Sequence, residues 1–268
     1  MPDILRREFA PISAVAWQEL DSQAADVIRK VLAGRKIADF NGPHGWELGA
    51  VNLGRLKIAS GKKAGDVPWG VREVQPLIET RLAFTLKQQE IDDVTRGAAD
   101  ADIDALLDAA AKAARFEDEA IFNGFAAGGI DGIAKSAKVS APKLPKDTNA
   151  LPKAAAEVVK KMAAAGVGGP YAMVLNPDLY FDLMHETGQG YPPRRALEDI
   201  LGGEILKSPV LNGGVIVSTR GGDFELTVGK DFSIGYASHN RDEVEFFLTE
   251  SFTFRVLDPN AAAVLKTA

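Results

Sequence analysis

Trp46-Glu-Leu-Gly-Ala-Val-Asn-Leu-Gly-Arg-Leu-Lys-Ile58 and, after a polar break, Val74-Gln-Pro-Leu-Ile-Glu-Thr-Arg-Leu-Ala-Phe-Thr-Leu86 decide how this chain reads. In the second run Val74, Pro76, Ile78, Thr80, Leu82, Phe84 and Leu86 take every second position, the period of a half-buried strand. Between the runs, Ser60-Gly-Lys-Lys-Ala-Gly-Asp66 has the composition of a hairpin tip. Residues 42–86 therefore read as one extended arm with nothing of its own to pack against. A lone two-stranded hairpin is marginal in water. Each buried Val, Leu or Phe contributes roughly 1.5–3 kcal/mol, so exposing half a dozen forfeits about 10 kcal/mol, as much as the net stability of a domain. Something else must cover the arm, and further copies of the same chain are the simplest cover. The pattern points to assembly rather than catalysis.

Composition sets outer bounds. A chain of 268 residues holds one large domain or two modest ones. A net charge of −6 argues against a nucleic-acid surface, which needs a basic stripe. Zero cysteines exclude disulfides, thiolate metal sites and a cysteine nucleophile. Charges in Met-Pro-Asp-Ile-Leu-Arg-Arg-Glu-Phe-Ala interrupt the start before a signal-peptide apolar core can form, and no stretch approaches membrane-spanning length. The expectation is a cytoplasmic protein with neither a membrane nor a nucleic-acid partner.

Outward from the arm, Ser13 can cap a helix over 13–32, its apolar face holding Trp17, Leu20, Ala24, Val27, Ile28 and Val31. Residues 100–125 read as a long Ala-rich helix buried along Ile103, Leu106, Leu107, Ala110, Ala114, Ile121 and Phe122. A Pro/Lys/Ser-rich crossing over 135–148 leads to a helix at 152–165 and a buried strand at 171–175. Asn176-Pro177 starts another helix, and a short one follows at 194–201. Extended runs cover 215–219, 224–228, 232–236 and 243–257. Separated helices with non-local strands make an α+β fold.

Chemistry is sparse in this pattern. His44, His185 and His239 lack the spacing of a metal site. Gly166-Val-Gly-Gly169 follows a helix and precedes a strand, the reverse of a dinucleotide fingerprint. Glu117-Asp118-Glu119 reads as a solvated or interface helix face, without the Glu-x-x-His pair of a di-iron site. Nucleophile, base and orienter do not assemble anywhere, so no catalytic residue, metal or cofactor is expected.

Several stretches in fixed order resemble the encapsulins, shell proteins of bacterial and archaeal nanocompartments. They are Leu5-Arg-Arg-Glu-Phe-Ala-Pro-Ile12 with Trp17, Gly34-Arg-Lys-Ile-Ala-Asp39, Gly42-Pro-His-Gly-Trp-Glu47, Gly70-Val-Arg-Glu73 and Pro76-Leu-Ile-Glu-Thr-Arg81. Phe116-Glu-Asp-Glu-Ala-Ile-Phe122, Arg220-Gly-Gly-Asp-Phe224, Ser233-Ile-Gly-Tyr236 and Glu250-Ser-Phe-Thr-Phe254 continue the series. The resemblance implies the tailed-phage major capsid protein fold. Residues 1–41 would hold a cargo-side helix and the start of a peripheral domain, and 42–86 the extended loop. Residues 87–135 would carry the spine helix, 136–223 the axial domain, and 224–268 the rest of the peripheral domain. It further implies a non-enzymatic subunit of a closed icosahedral shell, sixty copies or a multiple. A phage or prophage capsid protein is the alternative, disfavoured by the N-terminal helix and the acidic balance.

The resemblance also implies a site. A cargo enzyme, a peroxidase or a ferritin-like iron oxidase, would lay its C-terminal targeting peptide on the inner wall. By position the groove would comprise Ile28, Leu32, Arg35, Asp39 and Phe40 from one side, with Asp231, Phe232, Ile234 and Tyr236 from the other. An extended peptide would insert apolar anchors while Arg35 and Asp39 fix its polar ends. Core packing is the competing role for Ile28, Leu32, Phe40 and Ile234, and an Arg35–Asp39 bridge for the charged pair. A neutral pore would be lined by Thr187, Gly188, Gln189 and Gly190.

Overall fold

A computed structural model describes residues 4–58, 67–145, 147–186 and 190–267. Ser13 Oγ accepts from the Ala16 amide and starts helix α1, Ala14–Val31. Its inner face buries Ala16, Leu20, Ala24 and Ile28, the i, i+4 stripe that the sequence spacing dictates. Strands β1 (Asp39–Asn41), β2 (Ala50–Ile58), β3 (Gly70–Pro76) and β4 (Ile78–Lys87) follow, then helices α2 (Gln88–Arg96) and α3 (Asp104–Phe122). After the short helix α4 (Gly132–Ser136) come α5 (Leu151–Ala164), β5 (Tyr171–Leu175), α6 (Pro177–His185) and α7 (Pro193–Leu201). Asn176 caps α6 by accepting from the Leu179 amide, with Pro177 at the first helical position. The chain closes with β6 (Ile205–Lys207), β7 (Gly214–Ser218), β8 (Phe224–Val228), β9 (Ser233–His239), β10 (Glu243–Val256) and β11 (Ala262–Leu265).

These elements form two cores. The first sheet runs β1-β8-β10-β4, with β9 also on β10, and α1, α2 and the first half of α3 cover it. The second runs β11-β7-β5-β6 and packs against α5 and α7. Helix α3 links the two: Leu106 to Ala114 belong to one core, and Ala120, Ile121 and Phe122 to the other.

The arm differs from its sequence reading. Only β2 and β3 form a separate two-stranded sheet, and β4 returns to pair with β10 over its whole length. Leu82, Phe84 and Leu86 stand opposite Leu248, Phe246 and Val244, and the Phe84 ring stacks on Phe246 at 5.4 Å. Half of the alternating apolar residues thus find cover within their own chain. The β2–β3 side chains do not: Leu56, Val71 and Val74 are exposed, and Ile58 is 72% exposed. Hydrogen bonds at its base, Leu77 N to Gly49 O and Gln75 Nε2 to Phe254 O, fix the hairpin where it leaves the body.

Five further elements had no sequence assignment: β1, α2, α4, β6 and β11. The final strand, β11, pairs with β7 in the second sheet.

Candidate functional site

Beside α1 lies a cleft of about 570 Å³, closed by the N-terminal segment and by the strand leading into β9. Arg7 builds one wall. Its guanidinium pairs bidentately with Asp21 at 2.7 Å, its Nε donates to the Ile234 carbonyl at 2.8 Å, and its plane lies 4.4 Å from the Trp17 ring. The Tyr236 amide donates to the Leu5 carbonyl, so residues 5–7 run along the edge of β9. Ala24, Ile28, Ile234 and Leu248 form an apolar floor; Asp21, Arg29, Lys230 and Asp231 stand at the rim.

Arg35 occupies one end of the cleft. It bonds Glu117 at 2.7 Å, Asp231 at 2.8 Å and Glu250 at 2.6 Å, and its flat faces lie near Phe40 (5.1 Å) and Phe232 (4.9 Å). Glu117 and Glu250 are fully buried, whereas Asp231 opens to the cleft. Burial foremost, then the neighbouring Glu117 carboxylate, pushes the Glu250 carboxyl well above the usual range. Burial opposes the charge on Arg35, but its hydrogen bonds to Glu117 and Asp231 outweigh that and hold it ionised. One guanidinium thus stands among three carboxylates, of which Asp231 is the one that faces the cleft.

Asp118, the next residue, has a different task. It accepts from the Ala33 and Gly34 amides at 3.1 and 2.8 Å and from Ser208 Oγ at 2.8 Å. It therefore ties the end of α1 and the segment after β6 to α3. Burial pushes its carboxyl up to about 6 against those donors. The chain must come this close at Gly34, where a Cβ would stand 2.5 Å from Ile121 Cδ1.

Five of the nine expected groove residues line the cleft: Ile28, Arg35, Asp231, Phe232 and Ile234. Phe40 stands beside them, 41% exposed, so core packing does not account for it. Leu32 and Tyr236 are buried in the first core, and the Tyr236 hydroxyl meets His239 Nδ1 at 2.5 Å. Asp39 is not among the described residues that line the cleft, and its carboxylate accepts from the Gly222 amide at 2.6 Å. Of the four pore residues, Thr187, Gly188 and Gln189 lie outside the described residues, and Gly190 is exposed with φ +111°.

Sequence reasoning missed Glu117, Asp118 and Glu250. Glu117-Asp118-Glu119 is no solvated face: the first two are buried, and only Glu119 is left to pair with Asn123. A signal was present, since 117 and 118 fall three and four residues from Ala114 and Ile121 on the buried stripe. Arg7 and Asp21 also went unnamed. Among the described residues, no group of three His, Asp or Glu is placed to hold a metal ion.

The cleft combines an apolar floor with a charged rim, and residues 5–7 cover the neighbouring edge of β9. Residues 2–253 match the family model described as encapsulating protein for peroxidase. The chain belongs to the encapsulin shell protein family. A type 1 encapsulin shell protein of Rhodospirillum rubrum is 44% identical over 98% of this chain and 96% of its own. That of Mycobacterium tuberculosis is 37% identical, covering 97% of this chain and 98% of its own. Among solved structures, a virus-like particle from Pyrococcus furiosus superposes with a TM-score of 0.65 at 18% identity, covering 93% of this chain and 99% of that one. The capsid of Myoviridae phage XM1 gives 0.57 at 12%, covering 87% and 90%. The fold is therefore that of the tailed-phage capsid proteins, and the encapsulin family of this chain is fixed by sequence.

Proposed function

We propose that this chain is the non-enzymatic subunit of a closed icosahedral shell, built from sixty copies or a multiple, which encloses a peroxidase or a ferritin-like iron oxidase. The observation that carries the proposal is the β2–β3 hairpin, whose Leu56, Ile58, Val71 and Val74 lie exposed in the single chain. Only sister subunits of the same geometry offer a repeating surface that buries each such hairpin once. The cargo enzyme presents a C-terminal targeting peptide to the cleft beside α1, where Ile28, Ile234 and Phe232 take its apolar side chains. Asp231 and Asp21 favour a cationic group near its end. Small substrates enter through pores, one of them beside Gly190.

The test is loading. A fluorescent protein carrying a short Gly/Leu-rich C-terminal tail is co-expressed with the chain, and particles are purified and assayed for fluorescence. Phe40→Ala and Phe232→Ala remove exposed or half-buried rings beside Arg35, so particles persist while loading falls several-fold. Undiminished loading in both variants assigns the tail to another surface. Ile234 is a poor probe, because it is buried in the core as well as lining the cleft.

A further inference from the structure

On the opposite side of the molecule, two cavities share one wall. The first, about 340 Å³, lies between the end of α3 and the second sheet and is lined by Phe122, Ile133, Leu211, Val215 and Leu265, with Asn212 exposed at its edge. The second, about 470 Å³, is lined by Lys138, Ser140, Lys143 and Lys266 over Ala137 and Val139. Ala134, Val264, Lys266 and Thr267 line both, so the two cavities adjoin at β11. Among the described residues no Asp or Glu lines either one, although the chain carries a net charge of −6.

The segment carrying the lysines is held in place. The Lys138 amide donates to the Pro259 carbonyl and the Leu144 amide to the Lys266 carbonyl, both at 2.9 Å. Lys161 Nζ donates to the Ser140 carbonyl at 3.0 Å. Among the described residues, Lys138, Lys143 and Lys266 take part in no ion pair, while the nearby Asp131 and Glu157 are engaged by Lys135 and Lys161. Three exposed lysines thus line one cavity beside an apolar one. Pockets of about 300–1,000 Å³ with apolar walls and a few polar groups are the size of small-ligand sites.

We infer that this double cavity binds a small amphipathic anion, its ring-sized or short acyl body in the apolar half and its phosphate, sulfonate or carboxylate head between Lys138, Lys143 and Lys266. This does not depend on the cleft beside α1 or its peptide. The probe is 1-anilinonaphthalene-8-sulfonate, titrated by fluorescence into purified assembled protein, with the uncharged N-phenyl-1-naphthylamine as its neutral counterpart. The sulfonate binds saturably and weakens with salt. Lys138→Gln/Lys143→Gln/Lys266→Gln reduces its affinity by about tenfold, as loss of several exposed charge contacts should, and leaves the neutral probe unaffected. Val264→Trp, which fills the shared wall, removes both. Should that variant not fold, Asn212→Trp obstructs the apolar half from its exposed edge instead. Sulfonate binding that survives the lysine and tryptophan variants, or is absent from the wild type because the face is covered by a second copy, overturns the inference.

Discussion

Asp118 accepts from the Gly34 amide while the next residue, Arg35, pairs with Glu117, and the two make different predictions on substitution. Asp118 has its carboxyl raised to about 6, against an ordinary 3.8 in the unfolded chain. Between about pH 4 and 6 the folded state holds a proton that the unfolded state has released, so stability falls as pH rises through that window. Asp118→Asn keeps an acceptor for the Ala33 and Gly34 amides but cannot titrate. Thermal unfolding followed from about pH 4 to 7 should show a Tm decline in the wild type that is smaller in Asp118→Asn. Equal slopes in the two proteins contradict the assignment. Arg35→Met leaves Glu117 facing Glu250 without a cation, and breaking a buried ion pair by removing one partner costs about 3–5 kcal/mol. The expected result is a Tm lowered by roughly 5–9 degrees or loss of soluble protein, partly restored by adding Glu117→Gln. Neither acid was legible beforehand. A three-acid run reads as surface until its spacing from Ala114 and Ile121 is weighed, and Glu250 lies 133 positions from Glu117 in the chain.

At the scale of elements, the hairpin and β4 show what alternation can and cannot say. Period two marks a strand with one buried face but does not name the face's partner. Val74 and the run from Ile78 to Leu86 obey one rule, yet the latter meets Phe246 and Leu248 while Val74 meets solvent. The difference lies in β10, more than 150 residues downstream, whose pairing no local pattern encodes. Helix α2 escaped for another reason. Its nine residues carry two buried apolar side chains, Ile91 and Val94, and its clearest stop signal is Gly97 at φ +96°. By contrast, α1, α6 and β5 were legible because a cap or a continuous apolar run marks their ends. The proposed clasp predicts that Leu56→Ser/Ile58→Ser/Val71→Ser/Val74→Ser leaves circular dichroism of the body unchanged but abolishes particles in size-exclusion chromatography. Particles formed normally by this variant would mean that the hairpin is not what joins the subunits.

Across the whole molecule, α3 carries one core at each end, and the hairpin leaves from the edge where the sheet of β4 and β10 stops. Such a body has two cores of its own, while its arm is a strand pair with no second layer. The sequence pattern announced that imbalance, and a resemblance to known shell proteins gave it a geometry. The position of the cleft was only half visible, because its walls come from Arg7, Asp21 and Leu248, residues whose roles depend on the fold. The central claim is that the arm is ordered by sister copies in a closed particle. The most direct test is electron microscopy of the purified chain, combined with hydrogen exchange at the amides of residues 50–58 and 70–76. Closed icosahedral particles with protected hairpin amides, whose protection disappears on dissociation, are the predicted result. A monomer or dimer whose hairpin amides are protected would contradict it.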